Sequence, residues 1–157
     1  MTNQEMIDEM LQMQRALDEA IYKEHGCEFD NEKCTLAMID EIGEFNHEIK
    51  STWCWWKYTQ KEIDKEKALE ELVDIWHFAM SIYYHYYDGR EFANKSDLEM
   101  SADDDLTMLY FRLINNNSHK FETLKMIGLK FGFTMKDVYE VYKRKNKVNY
   151  ERIANKY

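Results

Sequence analysis

Two pairs of acidic residues in this sequence have a spacing suited to metal chemistry, Glu41 with Glu44 and Glu71 with Asp74. Residues three apart share one face of a helix, so each pair presents two carboxylates to the same place. Mg²⁺ prefers oxygen ligands and commonly binds carboxylates together with substrate phosphates. Two or more such ions can hold an attacking water and stabilise a departing phosphate. The pairs therefore indicate metal-assisted phosphate chemistry.

The 26 residues from 45 to 70 separate the two pairs, which is enough chain to turn and place two helices antiparallel. Four carboxylates would then converge, and without a metal they would repel one another and raise each other's pKa values. The alternative is that the pairs are solvated helix faces in a chain with 30 acidic residues. Apolar neighbours such as Ile42 and Leu72 favour burial, but spacing alone leaves both interpretations open.

The elements that must position these pairs are helices. The chain of 157 residues has no proline and five glycines, a composition that favours long helices over strands and tight turns. Its length suits a single domain over residues 1–157. We therefore predict one all-α domain, a helical bundle with a metal site between two antiparallel helices.

Apolar residues recur at helical spacing in about six segments. The predicted helices span residues 4–23, 31–50, 62–87 and 103–115, followed by a fifth that ends near Gly132 and a sixth from Thr134 to 149. The second helix is predicted to bury one apolar stripe, consisting of Leu36, Ile39, Ile42, Phe45 and Ile49. Polar residues dominate from 90 to 105, which predicts a surface loop, and residues 115–118 predict a turn.

The net charge of −9 argues against a nucleic-acid polymer as partner, because proteins that bind such polymers usually carry the opposite balance. No secretory leader and no apolar run of about 20 residues is present, so we expect a cytoplasmic protein without membrane contact. The three cysteines, Cys27, Cys34 and Cys54, form no CxxC pair. Neither a disulfide framework nor a zinc knuckle is expected.

Four segments follow one another in order along most of the chain: Glu41-x-x-Glu44, Trp53-Cys54-Trp55-Trp56-Lys57, Glu71-Leu72-Val73-Asp74-Ile75-Trp76-His77-Phe78 and Tyr142-x-x-Lys145-Asn146-x-x-Asn149-x-x-Arg152. The acidic pairs alone are typical of a superfamily that includes MazG-like pyrophosphohydrolases and dCTPases. The other segments resemble the all-α dimeric dUTPases. The resemblance implies Mg²⁺-dependent hydrolysis of dUTP to dUMP and pyrophosphate, with dUTP or dUDP as substrate, and a homodimer.

The resemblance also implies a role for each acidic residue. Glu41, Glu44, Glu71 and Asp74 would be the ligands of two or more Mg²⁺ ions in each site. One of them would also orient or deprotonate the attacking water. We favour Glu44 for that role, with Glu41 as the alternative.

The substrate contacts implied by the resemblance fall into two groups. On the base side, Gln14 would read the uracil edge, since an amide can both donate and accept, with Gln12 as a competitor. Trp53 would line the base and sugar pocket, and His77 and Phe78 belong to a segment that approaches uracil. The contacts to phosphate and sugar would come from a second group, consisting of Lys57, Lys145, Asn146, Asn149 and Arg152. Tyr142, in the same segment, is expected to contact the substrate as well.

The sequence departs from the family pattern at two places. Where the family tail continues with glutamine after the arginine and ends in Gly-Tyr, this chain has Ile153 after Arg152 and ends in Lys156-Tyr157. Asp18 stands near a position where asparagine is common. These departures concern base specificity and tail contacts more than the metal site.

Three alternatives to a dUTPase remain open at this stage. A related pyrophosphohydrolase with another base preference, such as dCTP, would share the carboxylates. A helical interaction protein would carry the acidic stripes in solvent. A di-iron bundle requires Glu-x-x-His on two helices. The segments from Glu44 to His47 and from Asp74 to His77 are similar to this pattern.

The predicted third helix is aromatic around most of its circumference, through Trp76, Phe78, Tyr83, Tyr84, Tyr86 and Tyr87. A helix that is apolar on all sides must bury more than one face, and a chain of this size has few helices to cover it. Most homo-oligomers are two-fold dimers. We therefore predict that a second copy covers part of this helix, the alternative being that helices four to six wrap it within one chain.

Overall fold

The computed structural model describes residues 1–88, 104–115 and 119–157. Within these ranges lie a short 3-10 helix at Lys50–Thr52 and six α-helices: α1 Asn3–His25, α2 Asn31–Glu48, α3 Lys65–His85, α4 Leu106–Ile114, α5 Lys120–Lys130 and α6 Met135–Ala154. The prediction of an all-α fold with about six helices is confirmed. The loop predicted at 90–105 and the turn predicted at 115–118 lie mostly outside the described residues. In the described ranges, no helix is both long and apolar enough to cross a bilayer.

Local signals set the ends of several helices. Thr2 and Glu5 form a capping box at the start of α1, each side chain bonding the backbone of the other. Gly26 ends α1 in the left-handed region at φ 61°, which suits glycine because it lacks a Cβ. The box predicted at Thr134 and Asp137 opens α6. These signals act over three or four residues, so they can be recognised in the sequence.

Helix α3 is the centre of the fold and packs against α1, α2, α5 and α6. Trp76 is fully buried and stacks on Phe121 of α5, with ring centroids 5.6 Å apart. Of the six aromatic residues predicted to need a second subunit, only Tyr86 is largely exposed. The chain's own helices cover much of this face, so the aromatic content of α3 does not by itself require a second copy, and the dimer stays a prediction.

The apolar stripe predicted on α2 is only half correct. Leu36 and Ile39 are 57% and 39% exposed, whereas Ile42, Phe45 and Ile49 are buried. The buried stripe begins at Met38 and continues at steps of four and three, so it faces α3. At 3.6 residues per turn, Leu36 lies about 160° around the helix from Met38. Leu36 and Ile39 therefore lie off the core side of α2.

Candidate active site

The acidic pairs meet where α2 packs against α3. Single carboxylate oxygens of Glu41, Glu44 and Glu71 all lie within 4.8 Å of one another. Farther along the same helices, the Cys34 thiol lies 3.7 Å from the Phe78 carbonyl. Residues 34 and 78 face each other at one end and 44 and 71 at the other, so the two helices run antiparallel. We call Glu41, Glu44 and Glu71 the carboxylate cluster.

Asp74, the fourth predicted ligand, lies beside this cluster and is paired with a lysine. The Lys145 Nζ atom is 2.5 Å from Asp74 Oδ2, and the two side chains are 24% and 22% exposed. The predicted phosphate-binding lysine of α6 is therefore already engaged with a carboxylate of α3. For Asp74 to coordinate a metal ion, the ion would have to displace Lys145 from the carboxylate or share the carboxylate with it.

The electrostatics of the cluster are unfavourable without a counterion. Burial, reinforced by the charges of Asp74, Glu44 and Glu71, raises the pKa of Glu41 to about 7. Burial and the neighbouring Asp74 and Glu44 likewise raise the pKa of Glu71 to about 7. The pKa of Asp74 is also raised, chiefly by burial, although its bond to Lys145 opposes the rise. Like charges close together in a partly dry site disfavour ionisation.

These residues fit a hard divalent cation. The cluster offers only carboxylate oxygens, which are the ligands that Mg²⁺ prefers. Glu41 Oε2 is buried and has no hydrogen-bond partner among the described residues. A buried carboxylate oxygen without a donor is costly unless a cation or water satisfies it. Positive charge at this point would relieve both the unpaired oxygen and the repulsion among the three carboxylates.

A cavity of about 750 Å³ lies next to the cluster. Its walls come from α1, the first half of α2, the middle of α3, and the end of α6 with the residues after it. Glu41 and Asp74 line it, so the carboxylates form part of its wall. Ligand pockets in proteins typically measure about 300–1,000 Å³, and the size of this cavity suits a nucleotide.

Five of the ten predicted substrate contacts line this cavity, and these are Gln14, His77, Phe78, Asn149 and Arg152. Tyr142 and Asn146 are buried behind the wall. The Tyr142 hydroxyl donates to Gln14 Oε1 at 2.9 Å. Tyr142 therefore contacts Gln14 of the cavity wall but does not line the cavity itself. Direct contact of Tyr142 or Asn146 with a substrate remains a prediction.

Trp53 and Lys57 lie at the corner between α2 and α3 and are not among the described residues that line the cavity. The Trp53 indole donates from Nε1 to the Asn46 carbonyl at 2.8 Å, which fixes the ring against the end of α2. Lys57 is exposed. The single chain does not bring these two residues to the cavity, and their contact with a substrate stays a prediction.

A buried polar network at the inner end of the cavity was missed in the sequence. Asp18 accepts hydrogen bonds from Gln14 Nε2 at 2.8 Å, Ser81 Oγ at 2.7 Å and His85 Nε2 at 3.2 Å. The Gln14 carbonyl oxygen accepts from His77 Nδ1 at 2.6 Å. The signal was present as polar residues spaced by four, residues 14 and 18 on α1 and 77, 81 and 85 on α3. Such spacing shows that the residues share one face of their helix, but it does not show which other helix packs against that face.

The arrangement does not favour the di-iron alternative. His77 is buried and uses Nδ1 in its bond to Gln14, while His47 is exposed at the end of α2. The cluster found among the described residues consists of carboxylates alone. A di-iron bundle needs a histidine beside the acid on two helices. The geometry here instead groups oxygen ligands.

A family model described as dUTPase matches residues 6–157. The comparisons with curated proteins and with solved structures each gave no significant match. The family match covers nearly the whole chain, including the carboxylate cluster and every helix that lines the cavity. The chain therefore belongs to the all-α dUTPase family, and its activity is the hydrolysis of dUTP.

Proposed function

We propose that this dUTPase cleaves dUTP, and dUDP as a second substrate, to dUMP with Mg²⁺ bound at Glu41, Glu44, Glu71 and Asp74. From dUTP the other product would be pyrophosphate. The observation that carries the proposal is the position of the carboxylates in the wall of a nucleotide-sized cavity. A phosphate chain in that cavity would lie beside the oxygens that hold the metal.

The cavity has a polar inner end and a charged outer part, which gives the substrate a direction. Gln14 and His77 lie at the inner end, suited to a base. Arg152 and Asn149 of α6 also line the cavity, and the charge of Arg152 reaches Asp74. An arginine fork binds phosphate oxygens in two places at once. We therefore assign the base to the α1 and α3 side and the phosphates to the α6 side.

Metal and protein would divide the chemistry between them. When bound, two or more Mg²⁺ ions supply positive charge that activates water and stabilises the departing phosphate. Glu44 is exposed and belongs to the cluster, so it can hold an attacking water and take its proton. Glu41 is the alternative base. Lys145, which pairs with Asp74 here, would neutralise charge on a substrate phosphate.

The test is pyrophosphate release from dUTP, dCTP and the other deoxynucleoside triphosphates, with Mg²⁺ and with excess EDTA. We expect dUTP to be preferred and the reaction to stop in EDTA. Activity that survives complete chelation would contradict the metal mechanism. A preference for dCTP would assign the chain to the other branch of the superfamily. Counting bound Mn²⁺ per chain by titration tests the proposal of two or more ions.

A homodimer is the second part of the proposal. It is supported by the family resemblance and by exposed apolar side chains on α2 and α4, which are Leu36, Ile39, Met108 and Phe111. Large exposed apolar side chains grouped on a surface often mark interfaces. Light scattering at micromolar concentration should give twice the mass of the 19.1 kDa chain. A mass of one chain would refute the dimer and leave the hydrolytic proposal intact.

A further inference from the structure

The residues that follow α6 turn back onto the last turn of that helix. The Lys156 amide donates to the Ile153 carbonyl at 3.2 Å, and the Tyr157 amide donates to the Arg152 carbonyl at 3.0 Å. Lys156 allows this reversal by adopting a left-handed backbone at φ 52°. A residue with a side chain enters that region at a cost in free energy, so contacts made by the turned segment must offset the cost.

The turn places the Tyr157 ring against the Arg152 guanidinium. The central carbon of the guanidinium lies over the ring, 4.9 Å from its centroid, which is within the range of cation–π attraction. Asn149 Oδ1, one helical turn earlier, accepts from Arg152 Nη1 at 3.4 Å. Neither of these partners carries a negative charge. The guanidinium is therefore held in place and still attracts an anion.

Both members of this pair belong to the cavity wall. Arg152 and Tyr157 line the cavity, and the charge of Arg152 reaches Asp74. Tyr157 is 87% exposed, so it contributes little to the hydrophobic core. An arginine side chain loses rotamer freedom when it binds an anion. A ring that holds the guanidinium beforehand reduces that loss, and binding becomes tighter by preorganisation.

We propose that Tyr157 is a positioning residue of the phosphate site, because its ring holds the Arg152 guanidinium in the cavity before the substrate binds. Tyr157 acts through Arg152 and does not itself bind the phosphates. This inference rests on the proposed dUTP cleavage, which assigns the phosphates to the α6 side of the cavity. It adds a residue that the sequence did not indicate as part of the site.

The contact itself can be tested in the free protein by NMR. An aromatic ring shifts the signals of protons that lie over its face upfield. We expect the Arg152 side-chain signals to be shifted upfield in the wild type and in Tyr157→Phe, which keeps the ring. In Tyr157→Leu they should move to the positions of a solvated arginine. Identical Arg152 shifts in the wild type and Tyr157→Leu would overturn the proposal.

The consequence for binding can be measured by calorimetry with α,β-imido-dUTP, a hydrolysis-resistant analogue, in Mg²⁺. An exposed cation–π pair is strong enough to change a binding constant about two- to fivefold, so Tyr157→Leu should raise the Kd by that factor. Tyr157→Phe should restore the wild-type Kd. Tyr150→Leu is the matched control, since Tyr150 is 40% exposed on the same helix and is not among the described residues lining the cavity. A loss in Tyr157→Phe equal to that in Tyr157→Leu, or an equal loss in the control, would overturn the proposal.

A double-mutant cycle separates positioning from direct contact with the substrate. Arg152→Met removes the guanidinium that the ring holds. In this background Tyr157→Leu should cause no further rise in Kd, because residues that act through each other are not additive. The same two- to fivefold rise in both backgrounds would mean that Tyr157 acts independently of Arg152, and the proposal would be overturned.

The backbone turn is tested by comparing Lys156→Pro with Lys156→Ala. Both variants remove the charge of Lys156. Proline is fixed near φ −65° and has no amide hydrogen, so it blocks the turn, whereas alanine can adopt it as lysine does. We expect a higher Kd for Lys156→Pro than for Lys156→Ala, and equal values would overturn the proposal. A wild type that binds the analogue but releases no pyrophosphate from dUTP would instead refute the proposed function, and the cycle would still decide the role of Tyr157.

Discussion

Glu41→Gln should make the metal-free protein more stable while removing its activity. Burial and the neighbouring acids raise the pKa of Glu41 from 4.5 to about 7. At about 1.36 kcal/mol per pH unit, this rise corresponds to at most about 3.4 kcal/mol of unfavourable free energy for the ionised form. Because Glu41 is only half-buried and water screens its neighbours, we expect a gain of about 1 kcal/mol. In a chain of this length that is about 2–4 °C in Tm.

The gain should depend on pH in a defined direction. The pKa of Glu41 is higher in the folded than in the unfolded protein, so the folded state binds the proton more tightly. The penalty is absent below about pH 4.5 and complete above about pH 7, since stability is lost as the pH rises through the folded pKa. In EDTA, Glu41→Gln should therefore exceed the wild type in Tm at about pH 8 and match it at about pH 4.5.

The assay is thermal unfolding followed by circular dichroism, with Glu48→Gln as the control. Glu48 lies on the same helix but outside the carboxylate cluster. Saturating Mg²⁺ should reverse the order, because ligand binding to the folded state stabilises it and the variant has lost a ligand. Equal Tm values for Glu41→Gln and wild type at about pH 8 in EDTA would refute this electrostatic account. So would an identical response of both proteins to Mg²⁺.

Three further outcomes are expected. Glu44→Gln and Asp74→Asn should each lower kcat at least about 100-fold with unchanged circular dichroism; near-normal turnover at saturating Mg²⁺ would mean that these residues are only a helix face. Arg152→Lys keeps the charge but loses the two-pronged donor, so KM for dUTP should rise several-fold in steady-state kinetics, and an unchanged KM would remove Arg152 from the phosphate site. Trp76→Ala should lower the free energy of unfolding in urea by about 3–5 kcal/mol; a loss below about 1 kcal/mol would contradict its core position.

Local patterns carried most of what the sequence predicted correctly. The box at Thr134 and Asp137 depends on atoms three residues apart, and it begins α6 where expected. The acidic pairs depend only on helical spacing, and three of their four members meet. Helix α3 begins at Lys65 rather than at residue 62, because Asp64 accepts from the Lys67 amide and caps it there. The signal for this difference is also local, because an aspartate such as Asp64 is a common N-cap residue.

Features that depend on how helices pack against one another could not be predicted in the same way. Leu36 is as apolar as Ile42, and only the side on which α3 packs makes one exposed and the other buried. Asp18 stands near a position expected to concern base specificity, but the sequence does not show that its carboxylate accepts a hydrogen bond from Ser81 of another helix. The pairing of Lys145 with Asp74 joins residues 71 positions apart. Hydrophobic periodicity predicts which face of a helix is buried, but it does not predict which other helix packs against that face.

The hydrogen bond from Tyr142 to Gln14 spans 128 positions of the sequence. It joins α1 to α6, which pack against each other and both line the cavity, α6 through Asn149 and Arg152. During synthesis the chain emerges in order from its first residue, so α1, α2 and α3 can fold well before α6 exists. Nucleotide binding is therefore among the last properties that a growing chain acquires, and a chain halted before Tyr142 would hold its carboxylates beside an open groove.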